Sequence, residues 1–133
     1  MTITGLPITG LYAGILGLFV IPLSIHVILN RYRAKIGIFD GGDEQLGKAM
    51  RIHGNFTEHV PLALILMILA EVNGSGPEMM HTLGLILLGS RLFHVYGLSM
   101  SAGPSVGRFV GVMGTWAVIA GSGGYCVARF IGF

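Results

Sequence analysis

A chain of 133 residues is one domain by length, and a content of 53% hydrophobic and 11% charged residues lies far from the roughly one-quarter charged composition of a soluble domain. The mean hydropathy of +0.77 is that of a membrane protein, and a net charge of +2 is too small for a nucleic-acid-binding surface. A single cysteine, Cys126, excludes a disulfide framework and a cysteine-rich metal centre, and the histidines at 26, 53, 59, 81 and 94 form neither HxxxH nor HExxH, so no metal is expected.

A sliding window of about 19 residues gives four apolar spans, each near the roughly 20 residues that cross about 30 Å of hydrocarbon. The reading is an all-α membrane protein with helices over 6–30, 44–71, 79–98 and 106–129, forming one domain over 1–133. No charge occurs before Arg31, so there is no basic n-region, and the first span reads as a retained helix instead of a cleaved signal. Asn30, Arg31, Arg33 and Lys35 close it with a basic collar. Gly10, Gly14 and Gly17 form a small-residue strip along which another helix can approach. His26, Asn30 and Arg33 recur at helical spacing as a polar stripe.

The connection 36–45 carries Gly41, Gly42 and an acidic cluster, which mark a loop, and Asp43 is placed to cap the helix that follows. That helix is longer than a bilayer is thick, so its first turns protrude into water. At about 100° per residue, Arg51, Asn55 and Glu58 fall within roughly 60° of one another, with His59 on the flank and His53 on the far side. Eleven uncharged residues, 60–70, then carry the helix into hydrocarbon, with a kink expected where Pro61 frees the carbonyl of Thr57.

After the polar turn 72–78, the third helix sets Arg91, His94, Val95 and Leu98 on one face and turns Tyr96 away. A charge within a span costs about 2.5 to 3.5 kcal/mol on insertion scales. Glu58, read as the one acid inside a span, is the expected partner of Arg91. In the fourth helix, Gly107, Gly111, Gly114, Gly121, Gly123 and Gly124 make a thin body, with Trp116 and Cys126 read as packing residues. Lys and Arg concentrate at one membrane face (Arg31, Arg33, Lys35, Lys48, Arg51, Arg108) against Arg129 at the other, which places the polar stripes on the cytoplasmic side and both termini outside.

Gathered on that side are Arg31, Arg33, Arg51, Asn55, Glu58, Arg91 and His94. Guanidinium grips carboxylate in bidentate fashion and an acid answers an ammonium group, so the set suits a small anion with two carboxylates and one amine, of which glutathione is an abundant cytoplasmic example. Basic collars at cytoplasmic helix ends also occur without any ligand. The competing reading is therefore a non-catalytic membrane scaffold, in which Arg51, Asn55, Glu58 and Arg91 lock helices together.

The run Arg51-Ile52-His53-Gly54-Asn55-Phe56-Thr57-Glu58, an RxHxNxxE pattern at the start of a second span, resembles the signature of the MAPEG family, the membrane-associated proteins of eicosanoid and glutathione metabolism. The continuation His59-Val60-Pro61-Leu62 and the segment Arg91-Leu92-Phe93-His94-Val95-Tyr96-Gly97-Leu98 resemble its bacterial members. The resemblance covers essentially the whole chain. It implies a four-helix bundle that assembles as a homotrimer in a bacterial inner membrane, with glutathione held as co-substrate between subunits near the cytoplasmic surface. It further implies a membrane-bound glutathione transferase, with peroxidase activity as a companion, acting on lipophilic electrophiles and needing no metal. By the same resemblance Arg51, Asn55 and Glu58 contact the tripeptide, His53 acts nearby, and Arg31 or Arg33 completes the anion site.

Three positions depart from the family pattern. His94 stands where a tyrosine contacts glutathione, Leu98 where a second tyrosine is frequent, and Ser105 where an arginine stabilises the thiolate, with Arg108 three residues on. A free thiol has a pKa near 8.5, and an adjacent cation lowers it by favouring the charged form. Arg108 and Arg91 are the candidates for that catalytic role, and His94 joins the glutathione-binding set.

Overall fold

Four stretches of apolar sequence become four helices in the computed structural model, which describes residues 7–101 and 103–133: α1 (Pro7–Ala34), α2 (Glu44–Val72), α3 (Pro77–Met100) and α4 (Val106–Phe130). The expected start of the first helix at Leu6 lies outside the described residues. All four are long and apolar enough to cross a membrane, and no strand occurs among the described residues. Helix α1 runs on through its basic collar to Ala34. Helix α3 begins at Pro77, whose missing N–H costs nothing in a first turn. Helix α2 passes through Pro61 without interruption.

Local chemistry sets the helix ends. Asp43 caps α2, accepting a hydrogen bond from the Leu46 amide at 2.8 Å, and the same oxygen meets the Arg33 guanidinium at 2.6 Å. At the opposite face, Glu71, near the end of α2, caps α1: its two carboxylate oxygens accept from the amides of Ile8 at 3.2 Å and Thr9 at 2.9 Å. An acid beside the unsatisfied N–H groups of a helix start is favoured by the helix dipole. One helix pair is thus fastened at both membrane faces.

Packing places α2 and α3 centrally, each in contact with the other three helices, while α1 and α4 do not touch among the described residues. The closest pair is α3 and α4, and glycine allows the approach. A Cβ at Gly111 would lie 2.5 Å from the His94 Cβ, and one at Gly107 would lie 2.9 Å from the Phe93 carbonyl. Gly84 of α3 similarly makes room for the ring of Tyr12, whose hydroxyl lies 3.1 Å from His81 Nδ1. The strip Gly10, Gly14 and Gly17 differs: no helix of the same chain comes within 4 Å of a Cβ placed there. Trp116 also faces outward, contrary to its reading as a packing residue, and Cys126 is half-buried with its thiol 3.9 Å from the Leu66 carbonyl.

The Arg33 hydrogen bond holds the Asp43 carboxyl below the usual carboxylate range, reinforced by the Leu46 amide. A depressed folded pKa contributes stability that is present above the unfolded value near 4 and is lost as pH falls through the lower folded value. Thermal unfolding in mild detergent should therefore show Asp43→Asn melting below wild type at neutral pH. The gap should begin to narrow below about pH 4 and vanish once pH has fallen through the lower folded value, where the Asp43 side chain is neutral in both states. A gap independent of pH would exclude the Arg33 contribution.

Candidate functional site

The polar stripe of α2 meets α3 and α4 at one end of the bundle. Gly107 and Gly111 draw α4 tightly onto α3 there, and the start of α4 leans over the first turns of α2. Between the three helices lies a cleft of about 370 Å³. Arg51 and Asn55 line it from α2, His94 and Leu98 from α3, and Ser105 and Arg108 from the start of α4, while Phe109, Val112 and Met113 form its apolar wall. The volume falls in the range of small-molecule sites, roughly 300 to 1,000 Å³.

Beneath the cleft, Arg91 is 1% exposed. One guanidinium nitrogen donates to Asn55 Oδ1 at 2.7 Å and the other to the Gly111 carbonyl at 2.9 Å. The expected pair of Arg91 with Glu58 does not form. Glu58 instead lies 3.7 Å from Arg51, with side chains 52% and 61% exposed respectively. The physical reason is direction: Glu58 points out of the single bundle, whereas Asn55, three residues earlier, points into it. Nor is Glu58 the one acid within a span, since Glu71 serves α1.

The Gly111 carbonyl accepts a second bond, from Thr115 Oγ1 at 2.9 Å, and Thr115 Oγ1 lies 3.0 Å from Ser90 Oγ. A polar chain thus runs Asn55, Arg91, Gly111, Thr115, Ser90 through the centre of three helices. Because Arg91 occupies Asn55 Oδ1, the Asn55 amide nitrogen is left as the donor available to the cleft. Arg108 is half-buried. Its guanidinium donates to the Gly103 carbonyl at 2.8 Å, and its own amide donates to Ser105 Oγ at 3.2 Å, so Ser105 caps the helix.

Of the expected site residues, the cleft brings together Arg51, Asn55, His94 and Arg108, with Glu58 beside Arg51 and Arg91 one layer below. Three lie elsewhere in the single chain. Arg31 is bound to the loop, donating to the carbonyls of Ile36 at 3.3 Å and Phe39 at 3.0 Å. Arg33 is engaged with Asp43 and Asn30. His53 is half-buried on the far side of α2, as its helical phase requires. Phe109, Val112 and Met113 escaped notice in the sequence, although their i, i+3, i+4 spacing is the signal of a helix face. Glu71 offered no such signal, because its partner is backbone.

The sequence profile of the MAPEG family matches residues 9–128, and the chain belongs to that family. It is a multi-pass, all-helical membrane protein. It is 39% identical over 90 residues to the inner membrane protein YecN of Escherichia coli K12, across 68% of this chain and 69% of that relative, and equally to YecN of Escherichia coli O6:H1.

Removing Arg91 leaves Asn55 Oδ1 without its donor and the Gly111 carbonyl with one bond fewer, so Arg91→Ala should destabilise the bundle by about 2 kcal/mol or more. Glu58→Gln removes an exposed pair and should change stability by less than about 1 kcal/mol. Denaturation in mild detergent separates the two. A larger loss in Glu58→Gln than in Arg91→Ala would reverse this assignment of partners.

Proposed function

We propose that this chain binds glutathione in the cleft between α2, α3 and α4 and joins the intact tripeptide, through its sulfur, to lipophilic electrophiles. The observation that carries the reading is the meeting of Arg51, Asn55 and Arg108 with an apolar wall of Phe109, Val112 and Met113. A water-soluble anion is gripped at one end while its thiol is held against a lipid-facing surface. Arg51 binds a carboxylate of the tripeptide, Glu58 beside it answers the ammonium group, and Asn55 donates from its amide nitrogen. Arg108 favours the thiolate, whose proton leaves to water. The sulfur then forms a bond to an electrophilic carbon that arrives from the bilayer, and the leaving group departs, or water returns a proton to the adduct. Fixed proximity supplies much of the rate, and no side chain becomes covalently attached. Peroxide reduction by the same thiolate, with a second glutathione giving the disulfide, is the companion activity.

The proposal includes three copies of the chain. Arg51 and Glu58 stand more than half exposed in one copy, although Glu58 belongs to a membrane-spanning helix, and the glycine strip of α1 meets nothing within its own chain. A neighbouring copy would cover both and could bring Arg31, Arg33 or His53 toward the ligand. The excess of Lys and Arg at this face orients the site toward the cytoplasm of a bacterial inner membrane, in keeping with the relatives' description as inner membrane proteins. A second reading, a non-catalytic scaffold, is favoured by the hydrogen bond that ties Arg91 to Asn55.

Titration with glutathione, read by the near-ultraviolet absorbance of its thiolate, decides between them, since a scaffold gives no signal. Arg51→Ala should weaken binding by about 1.5 kcal/mol or more, the value of a charge-assisted hydrogen bond, and an unchanged dissociation constant in assembled protein would remove Arg51 from the site. Arg108→Ala should leave affinity at low pH nearly intact while raising the apparent pKa of the bound thiol, each unit corresponding to about 1.4 kcal/mol. If the pKa stays where it is in wild type, Arg108 has no part in activating the thiol. Native mass spectrometry from mild detergent should show a trimer, and a monomer or dimer at every concentration would contradict the assembly.

A further inference from the structure

The loop between α1 and α2 holds a second cationic cavity, separate from the cleft. It has a volume of about 420 Å³ and is lined by Ile28, Arg31, Tyr32, Lys35, Ile36 and Gly37. Helix α1, with 28 residues, is about 42 Å long at 1.5 Å per residue, roughly 12 Å more than the hydrocarbon it crosses. The charged residues of α1, Arg31 and Arg33, fall in its last turn, which puts the excess length, and this cavity with it, at headgroup depth.

Three features of the loop go beyond an ordinary basic collar. First, Ile38 and Phe39 are 71% and 73% exposed, and Tyr32 is 80% exposed, so the polar rim of the membrane is met by an apolar and aromatic surface. Aromatic side chains favour that depth. Second, among the described residues outside glycine, only Lys35 and Phe39 have positive φ, at 56° and 55°. The left-handed region is unfavourable for a lysine and more so for an aromatic residue, and glycine would serve a helix end better. Third, Arg31 fixes this conformation by donating to the Ile36 and Phe39 carbonyls. Backbone strain of this kind persists where the surroundings enforce it, and it collects at binding sites.

The charges are distributed unevenly. Asp43 is engaged by Arg33, and Asp40 accepts from the Gly42 amide at 3.0 Å, which ties the nearby acids down. Lys35 makes no ion pair among the described residues and lines the cavity with a flexible, exposed side chain. We propose that this cavity is a binding site for an anionic phospholipid headgroup. Lys35 and the Tyr32 hydroxyl hold the phosphate, the Arg31 guanidinium keeps the loop in place through the Ile36 and Phe39 carbonyls, and Ile28, Ile38 and Phe39 lie along the upper acyl chain. Lipid is the source favoured over free phosphate because the cations are joined to an apolar surface that a soluble anion does not need. The site stands independently of the reading of the cleft.

Native mass spectrometry of the delipidated full chain, titrated with phosphatidylglycerol or phosphatidylcholine of the same acyl composition, tests this. The first phosphatidylglycerol should be retained about fivefold better, the factor that one cation near an anionic lipid contributes, and Lys35→Gln should erase that preference. Lys35→Gly is the stricter variant. It relieves the left-handed backbone, so it should raise the melting temperature while also erasing the lipid preference. Ile38→Ser with Phe39→Ser should weaken retention of both lipids. Equal retention of the two lipids by wild type, an unchanged preference in both Lys35 variants, or displacement of the lipid by millimolar inorganic phosphate would each overturn the proposal.

Discussion

A guanidinium buried in the middle of a membrane bundle must be satisfied or the bundle does not form, and Arg91 meets that demand without an acid. Insertion of such a charge costs about 2.5 to 3.5 kcal/mol, and a hydrogen bond to a charged group returns about 1.5 to 3 kcal/mol. The bonds to Asn55 and to the Gly111 carbonyl are therefore enough to cover the cost, even with the Arg91 Nε atom unpartnered among the described residues. One partner is on α2 and the other on α4, while Arg91 itself is on α3. Three helices are thus fixed in register by one side chain. The arrangement requires a bare carbonyl close to α3, which is why residue 111 is glycine.

This constraint also shapes the cleft above it. Asn55 cannot turn its amide freely, because Arg91 claims the oxygen, so the cleft receives a donor of defined orientation. The tight contact of α3 with α4 brings Arg108 over the α2 stripe, and Ser105 fixes the first turn on which Arg108 stands. His94 contributes a buried wall to the cleft. The cations that line the cleft are thus Arg51 and Arg108, with Arg91 behind Asn55.

What the sequence made legible was whatever depends on period and composition. Four spans follow from hydropathy, the Asp43 cap follows from its place before an amphipathic run, and the stripe of Arg51, Asn55 and Glu58 follows from helical phase. The failures have two causes. Helical phase says which residues share a face but not which face turns inward, so Glu58 looked like the partner of Arg91 when it faces out and Asn55 faces in. Backbone partners are likewise invisible in a string of side chains. Glu71 bonds two amides of α1, and Arg31 bonds two loop carbonyls, and neither relation has a sequence signature.

The collar at the end of α1 shows how three neighbouring cations can acquire different tasks. Arg33 faces Asp43 and secures the start of α2, Arg31 turns back under the loop to hold two carbonyls, and Lys35, past the last helical residue, is left to the surface. The positive-inside rule counts all three alike, since it concerns only the transfer of charge across a bilayer. Geometry separates them, because a planar fork suits fixed acceptors whereas a long flexible ammonium suits a mobile anion. A residue held in a left-handed conformation at the point where glycine would be easier indicates that its side chain is what the position requires.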